Sequence, residues 1–151
     1  MFKKILTIIV LSFLIVGCAK DTKELDFESL DNKLLELKSS GELVFKEGYV
    51  VENNLLEEKY GMDLKGIDKI LLIETSGYDD PSFVLVVSSS DNNISKNFAE
   101  EFLNTMKEKW AMNYFPEATS LANEGETYTY SGYQISVISI DNDSVYKAIK
   151  E

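Results

Sequence analysis

Residues 67–88 read IDKILLIETSGYDDPSFVLVVS, two apolar runs joined by a segment rich in turn residues. Four consecutive apolar residues at positions 70–73 put apolar side chains on both faces of a strand, which is typical of a central strand covered on two sides. A connection rich in turn residues follows at 76–81 and leads into a second apolar run. The pattern predicts strands at residues 67–75 and 82–88, paired as an antiparallel hairpin.

The segment that follows this hairpin, residues 93–115, has the apolar periodicity of a helix. Apolar side chains recur there every four residues, at Ile94, Phe98, Phe102, Met106, Trp110 and Tyr114. Ala99 and Leu103 widen the stripe. Stripes of methionine and aromatic residues also line ligand grooves, but this spacing is typical of a helix packed on a core. We expect a long amphipathic helix that ends at Pro116 and buries Trp110.

A second hairpin is predicted farther along the chain. Residues 131–132 form a two-residue turn between strands at Glu126–Tyr130 and 133–140, so Tyr130 faces Tyr133. One interpretation is that the long helix buries the tyrosine face of this hairpin, because a hairpin alone is unstable. The alternative leaves Tyr130 and Tyr133 partly exposed as an aromatic platform for sugar, peptide or cell-wall ligands.

Shorter helices are predicted around these hairpins, at residues 27–39, 54–60 and 141–150, where capping residues precede helical spacing. Residues 43–51 fit a short strand or an ordered loop. Because helices and hairpins segregate along the chain, residues 27–151 are expected to form one α+β domain. In it, a small antiparallel sheet of about four strands packs against the long helix, with shorter helices flanking it.

The charge and composition exclude several classes of function. The chain carries 26 acidic and 15 basic residues, for a net charge of −11, so we expect no nucleic-acid partner. All the basic residues are lysine, and histidine is absent. The chain therefore has no imidazole to shuttle protons or bind metals, and no guanidinium to clamp an anion.

The N-terminus has the pattern of a secretory signal. Lys3 and Lys4 precede an apolar run at residues 5–16. This run of about 12 residues is shorter than the roughly 20 that a helix needs to cross a bilayer. It ends in Ile-Val-Gly-Cys at residues 15–18, which resembles the lipobox of bacterial lipoproteins.

This resemblance implies that Cys18 receives a diacylglycerol group and that cleavage follows Gly17. Residues 1–17 are then a signal peptide, and residues 18–26 are the lipidated cysteine and a short tether. Two acyl chains hold a protein stably at a membrane without a spanning helix. We expect the domain at the outer face of the cell membrane; the alternative is an uncleaved N-terminal anchor.

Two further motifs have simple structural interpretations. Ser144 and Lys147 have the Ser-x-x-Lys spacing of penicillin-recognising enzymes, but they lack the partner motifs of that class. Asp141 and Asp143 resemble the start of a calcium loop that lacks its glycine, and N-capping of a helix explains them as well. We therefore expect no catalytic residue, cofactor or metal site. A small envelope enzyme that uses carboxylates and a calcium-binding module remain the alternatives.

Several short motifs come in a recognisable order: Tyr60-Gly61-Met62-Asp63, the strand at 70–73, Ser76-Gly77, Phe98 with Phe102, Tyr114-Phe115-Pro116, and Gly132-Tyr133 leading into 136–139. Over residues 43–151 the chain resembles a family of unknown function among small lipoproteins of Gram-positive, mostly clostridial, bacteria. The resemblance implies lipid anchoring and an α+β domain, and it carries over no catalytic residue. The expected function is a non-catalytic interaction or ligand-binding domain whose partner is an envelope protein, peptide or glycan.

Overall fold

The computed structural model describes residues 23–112 and 114–151. The predicted signal peptide, the cleavage after Gly17 and the lipidation of Cys18 lie outside the described residues. The helices of the described residues are α1 (Phe27–Leu35), α2 (Asn53–Tyr60), α3 (Asn92–Ala111), α4 (Pro116–Asn123) and α5 (Asn142–Lys150). Its strands are β1 (Lys38–Ser39), β2 (Glu42–Leu43), β3 (Gly48–Val50), β4 (Lys69–Thr75), β5 (Phe83–Ser88), β6 (Glu126–Tyr130) and β7 (Tyr133–Ile138). No helix in this part of the chain is long and apolar enough to cross a membrane.

The predicted α+β class is confirmed, with a main sheet of five strands rather than four. Its order is β3-β4-β5-β7-β6, and every neighbouring pair is antiparallel. The extra strand is β3, which pairs with the edge of β4. Both alternatives for residues 43–51 thus hold in part, because residues 44–47 form an ordered loop and Gly48–Val50 form the strand. The predicted register of the second hairpin is confirmed, because Tyr130 pairs with Tyr133.

Helices cover both faces of the sheet. The face that carries Leu72 and Leu85 packs against α2, α3 and α4. The opposite face, which carries Leu71 and Ile73, packs against α1 and α5. The two-sided burial predicted for the first strand is therefore confirmed, and the fold has three layers.

The long helix is present, but it ends earlier than predicted. It begins after Asp91, whose side chain accepts a hydrogen bond from Asn93 N at 2.9 Å. It ends at Ala111, and Pro116 then begins α4 at its first helical position, where a missing N–H costs no hydrogen bond. Trp110 is buried as predicted, whereas the two ends of the predicted stripe, at positions 94 and 114, are exposed.

The first two helices also differ from their predicted bounds. The predicted helix at residues 27–39 ends at Leu35, because residues 38–43 form a two-stranded hairpin with Ser40 and Gly41 at positive φ in its turn. The predicted capping box at residues 54–57 is wrong. The second helix begins at Asn53, and the residue before it makes no side-chain capping bond.

The prediction that the long helix covers the tyrosine face of the β6–β7 hairpin is wrong. That face packs against α1 and α5. The long helix instead lies on the opposite face, where Ser136 Oγ donates to Ala99 O at 2.9 Å. At Gly125, a Cβ atom would lie 2.8 Å from Leu103 Cδ1. Small residues therefore let α3 approach the hairpin from the side that the sequence pattern did not favour.

Residues 23–26, which the sequence analysis assigns to the tether, contact the folded domain. Ser131 Oγ donates to Lys23 O at 2.9 Å, in the turn between β6 and β7. Leu25 is buried, and its N–H donates to Tyr133 Oη at 3.4 Å. These residues are part of the packed domain, so the predicted assignment of residues 23–26 to a tether is wrong.

Candidate functional site

The two tyrosines proposed from sequence as ligand-binding residues lie on the layer formed by α1 and α5. Tyr133 is buried, and its ring centre lies 5.8 Å from that of Phe27. Tyr130 is half-buried, and its hydroxyl donates to Lys150 O at 3.3 Å. Both hydroxyls are thus used in contacts that hold the N- and C-terminal segments against the hairpin.

The C-terminal motifs act locally. Asp141 caps α5: its Oδ1 accepts from Ser144 N at 2.9 Å, and its Oδ2 accepts from the hydroxyls of Ser144 and Ser39 at 2.6 Å each. These bonds hold the pKa of Asp141 below its ordinary value, and the bond from the Ser144 hydroxyl has the largest effect. Lys147 Nζ lies 3.9 Å from Glu151 Oε1, in an exposed ion pair. Within residues 23–112 and 114–151, no group of three or more acidic, His or Cys residues is placed to hold a metal ion.

The structure brings together a different site, at the end of the sheet where β4 leads into β5. A cavity of about 270 Å³ opens there, between the β4–β5 connection, α2 and the C-terminal turn of α3. We call it the β4–β5 pocket. Its lining includes Tyr49, Lys59, Tyr60, Glu74, Ser82 and Trp110.

A buried carboxylate forms one wall of the β4–β5 pocket. Glu74 lies near the end of β4 on the α3 side of the sheet, and three side chains donate to it: Tyr49 from β3, and Lys59 and Tyr60 from α2. The Lys59 ammonium lies 5.2 Å from the centre of the Tyr60 ring. Burying a carboxylate is costly unless it is paired and hydrogen-bonded, and this cluster meets both conditions.

The hydrogen bonds set the charge of each group in the cluster. Burial alone would raise the pKa of Glu74, but the bonds from Lys59, Tyr49 and Tyr60 outweigh it and lower that pKa below its ordinary value. Burial opposes the charge on Lys59, yet the bonds to Glu74 and Tyr49 raise the pKa of Lys59. Burial and the bond to Glu74 both raise the pKa of the Tyr60 hydroxyl. None of these three groups changes protonation near pH 7, so the cluster is suited to binding rather than to proton transfer.

Two other polar groups in the pocket lining are buried without a partner. Ser82 is 2% exposed and Trp110 is 5% exposed. Within the described residues, Ser82 Oγ and Trp110 Nε1 are the buried side-chain polar atoms that make no hydrogen bond. An unsatisfied buried polar group costs about 1–3 kcal/mol. Both atoms belong to residues that line the β4–β5 pocket, although the atoms themselves are buried beneath its surface.

Large exposed side chains follow two of the segments that line the pocket, those around Gly77 and Trp110. Tyr78, which is 80% exposed, follows a lining glycine, and its ring meets Phe115 edge-on at 5.6 Å. Met112 and Tyr114 lie on the connection after α3 and are 82% and 96% exposed. We call Tyr78, Met112 and Tyr114 the exposed rim. Concentrations of exposed apolar surface mark interaction sites more often than chance positions do.

Sequence reasoning missed most of this site. It placed Trp110 in the core but gave no sign that its indole N–H lacks a partner. It did not single out Glu74, although one acid directly after four apolar residues in a two-sided strand was a usable signal. Tyr49 and Lys59 gave no local signal, because they reach Glu74 only through the fold.

No protein-family model matches the chain, and neither a curated protein nor a solved structure does. The function proposed below therefore depends on the sequence pattern and on the geometry of the pocket.

Proposed function

We propose that the chain is a bacterial lipoprotein, attached through Cys18 to the outer face of the cell membrane, whose domain binds a ligand without catalysis. The sequence at residues 15–18 supports the anchoring, as does the resemblance to small lipoproteins of Gram-positive bacteria. The β4–β5 pocket is the proposed ligand site. The exposed rim supports an interaction role, because exposed aromatic side chains commonly contact partners.

The observation that carries the binding site is the cavity itself, whose wall is formed by the ion pair of Lys59 and Glu74 and by the side chains of Tyr49 and Tyr60. Lys59 and Glu74 are held in their ionised forms by their own hydrogen bonds. The chain has no histidine to serve as a proton shuttle near neutral pH. A cavity lined by fixed charges and tyrosine side chains is suited to recognition.

The pocket can be tested with its own reporter. Trp110 is the only tryptophan, so ¹⁵N labelling gives a single indole N–H resonance from the wall of the site. We expect members of a library of small polar molecules to shift this resonance saturably in the full chain. The matched control, Tyr130→Phe, alters a hydroxyl on the other layer and should leave those shifts unchanged. A library in which no molecule moves the indole resonance would contradict the proposed site.

The anchoring can be tested separately. Cys18→Ala should abolish incorporation of labelled palmitate and leave the precursor uncleaved, because the thiol that receives the lipid is gone. Cys18→Ser is a closer match in size and should behave in the same way. Undiminished labelling of either variant would contradict the lipoprotein assignment and would leave the pocket proposal in place.

The enzyme alternative predicts a different outcome from the same protein. A hydrolase using two carboxylates needs one to hold a proton near the working pH. In the pocket, the carboxyl of Glu74 has its pKa lowered instead. Slow consumption of a bound molecule in the titrations above, lost in Glu74→Gln, would favour the enzyme.

A further inference from the structure

A second cavity lies where the β1–β2 hairpin, the β4–β5 connection and α4 meet. It has a volume of about 320 Å³ and is lined by residues 42–44, 46, 79–81, 117–118, 121 and 140. We call it the β2–α4 groove, and we infer that it docks a basic segment of another protein, with one apolar side chain of that segment inside it. The inference goes beyond the proposed function and does not depend on the β4–β5 pocket, although Asp80 and Pro81 line both cavities.

The inner lining of the β2–α4 groove is apolar. Val44 and Ala118 are buried, and Leu121 is half-buried. Leu43 and Ile140, by contrast, are 37% and 54% exposed, although each is a large aliphatic side chain. Apolar side chains that are exposed together in a concave surface favour contact with an apolar group of another molecule. An aliphatic side chain of a partner would remove both from water.

The walls of the groove are fixed by contacts within the domain. Ser39 Oγ donates to Asp141 Oδ2 at 2.6 Å, which links the β1–β2 hairpin to the residue after Ile140. On the other side, the Tyr78 ring meets Phe115 edge-on at 5.6 Å, which links the β4–β5 connection to the residue before α4. A groove that is already formed loses little conformational entropy when a partner fills it.

The polar lining carries an excess of negative charge. Four acidic side chains line the groove against one lysine: Glu42, Asp79, Asp80 and Glu117 against Lys46. Lys46 Nζ is already paired with Glu42 Oε2, at 2.9 Å. Among the described residues, no lysine forms an ion pair with Asp79, Asp80 or Glu117. Lysine or arginine side chains on either side of the apolar anchor would neutralise these carboxylates.

The exposed ring of Tyr78 gives a second preference for a cation. Tyr78 directly precedes Asp79 in the chain and is 80% exposed. The face of an exposed aromatic ring attracts ammonium and guanidinium groups. A ring beside uncompensated carboxylates therefore favours a basic side chain through two different interactions.

The lining disfavours the other occupants of such a groove. A second copy of the chain brings a net charge of −11 toward the four acids and is repelled. An anionic membrane surface is repelled for the same reason. A small polyamine would match the acids but would leave Leu43 and Ile140 in contact with water. A basic segment with one apolar side chain suits both parts of the lining.

The test uses peptides that differ in the apolar anchor or in the charge. The probe is an acetylated and amidated pentapeptide with one leucine between two pairs of lysines. It is titrated into the full chain, in a nonionic detergent, and binding is measured by calorimetry. Replacing its leucine by serine should weaken binding about tenfold, because the apolar contact is lost. Replacing its lysines by glutamines should weaken binding to a similar extent at low salt, because the ion pairs are lost.

Substitutions in the chain then locate the probe. Ile140→Ser should weaken binding roughly fivefold, because it removes an exposed apolar side chain from the groove. The double variant Asp79→Asn, Glu117→Gln should also weaken it roughly fivefold, because two exposed carboxylates are lost. Circular dichroism of each variant shows whether it is folded.

Matched controls remove the same chemistry elsewhere on the surface. Leu55→Ser takes an exposed aliphatic side chain from α2. The double variant Glu101→Gln, Glu108→Gln takes two exposed carboxylates from α3, so its net charge equals that of the double variant in the groove. Both controls should bind the probe within about twofold of the parent chain.

Other outcomes overturn the inference. Binding of the serine peptide or of spermidine as tight as that of the probe would show that the acids attract any polycation. Probe binding that is unchanged in both groove variants would place the probe elsewhere on the surface. No binding at about 1 mM probe would reject the groove as a docking site. A dimer in sedimentation velocity that Ile140→Ser abolishes would make the occupant a second copy. None of these results changes the Trp110 indole titration that tests the β4–β5 pocket.

Discussion

The two ends of the main sheet differ in how their polar groups are used. At the end that carries Lys69 and the β6–β7 turn, Lys23 Nζ donates to carbonyl oxygens of Lys150 and Glu151, at 3.4 and 3.1 Å. We call this the anchor end. At the pocket end, Trp110 Nε1 and the Ser82 hydroxyl make no bond within the described residues. One end of the sheet is thus held by contacts within the chain, whereas at the other end two buried polar groups stay without a hydrogen bond.

The distance between the two ends follows from the strand that joins them. β4 runs from Lys69 at the anchor end to Thr75 at the pocket end, six steps of about 3.3 Å, or about 20 Å. Lys23, the first described residue, contacts Ser131 at the anchor end. If Cys18 carries the lipid, the pocket lies at the end of the sheet that is farther from the attachment.

Removing a buried side chain at the anchor end should have the largest effect on stability. Tyr133→Ala should lower the free energy of unfolding by about 3–5 kcal/mol, because a buried ring that packs on Phe27 is lost. Urea unfolding followed by circular dichroism measures this change. The matched variant Tyr133→Phe keeps the ring and loses only the acceptor for Leu25 N, so it should cost about 1 kcal/mol. A small loss in Tyr133→Ala would show that the anchor end is loosely packed.

The Glu74 cluster at the pocket end should have the next largest effect. Glu74→Gln should cost about 2–3 kcal/mol at pH 7, because it leaves the Lys59 ammonium without its carboxylate. Lys59 is partly exposed, so solvent screens the loss below that of a fully buried pair. Lys59→Met, which keeps the length of the side chain, tests the other half of the pair.

The same pair gives the pH dependence a definite sign. The folded-state pKa of Glu74 is lowered, so its stabilisation is present above the unfolded value of about 4.3 and is lost as pH falls through the folded value. The pKa of Lys59 is raised, so its contribution is present below about 10.4 and is lost as pH rises through the folded value. The stability difference between the parent and Glu74→Gln should therefore shrink in acid. A difference that stays constant down to pH 3 would contradict the lowered pKa.

Trp110→Phe should change stability by less than about 1 kcal/mol. The variant loses part of a buried ring, but it also removes a buried N–H that has no partner. Trp110→Ala, by contrast, should cost about 3–5 kcal/mol. The parent should show blue-shifted emission that reddens cooperatively in urea. A cost above about 2 kcal/mol for Trp110→Phe would mean that the indole N–H is satisfied, and the contrast between the two ends would weaken.

The smallest effect is expected from the exposed ion pair at the anchor end. Glu24 pairs with Lys69 at the surface, where water and salt screen the attraction. Glu24→Gln should therefore leave the urea midpoint unchanged within error. Faster hydrogen exchange at the Leu25 amide, without a change in the midpoint, would show that the pair positions the N-terminal segment rather than stabilising the domain. A clear drop in the midpoint would contradict this assignment.

Local pattern predicted the parts of the fold whose signal lies within one segment. The apolar run in β4, the stripe around Phe102 and the two-residue turn before Tyr133 each contain their own periodicity or turn residues. The break between α3 and α4 was missed because the apolar stripe continues through position 114. The helix that covers the tyrosine face of the second hairpin was also predicted wrongly. Both faces of β7 are apolar enough to pack against a helix, and the small side chain of Ser136 favours α3 on the face opposite the tyrosines.

The candidate site was less predictable for a physical reason. Tyr49, Lys59 and Glu74 are separated by 10 to 25 positions, and only the pairing of β3 with β4 and the docking of α2 bring them together. The tyrosines that the sequence favoured, Tyr130 and Tyr133, share one strand pair, which makes them conspicuous in the sequence. Their hydrogen bonds are with Leu25 and Lys150, at the end of the sheet opposite the pocket.

If a lipid is attached at Cys18, the packing of residues 23–26 on the domain limits how far the domain can move from the membrane. Because residues 23–26 belong to the fold, only four residues lie between Cys18 and Lys23, and these five steps of the chain reach at most about 18 Å. A lipid at Cys18 would confine the domain to a thin layer along the membrane. Within such a layer a short tether raises the effective concentration of the domain toward any molecule fixed to the same membrane. A weak intrinsic affinity would then be enough to keep such a molecule bound.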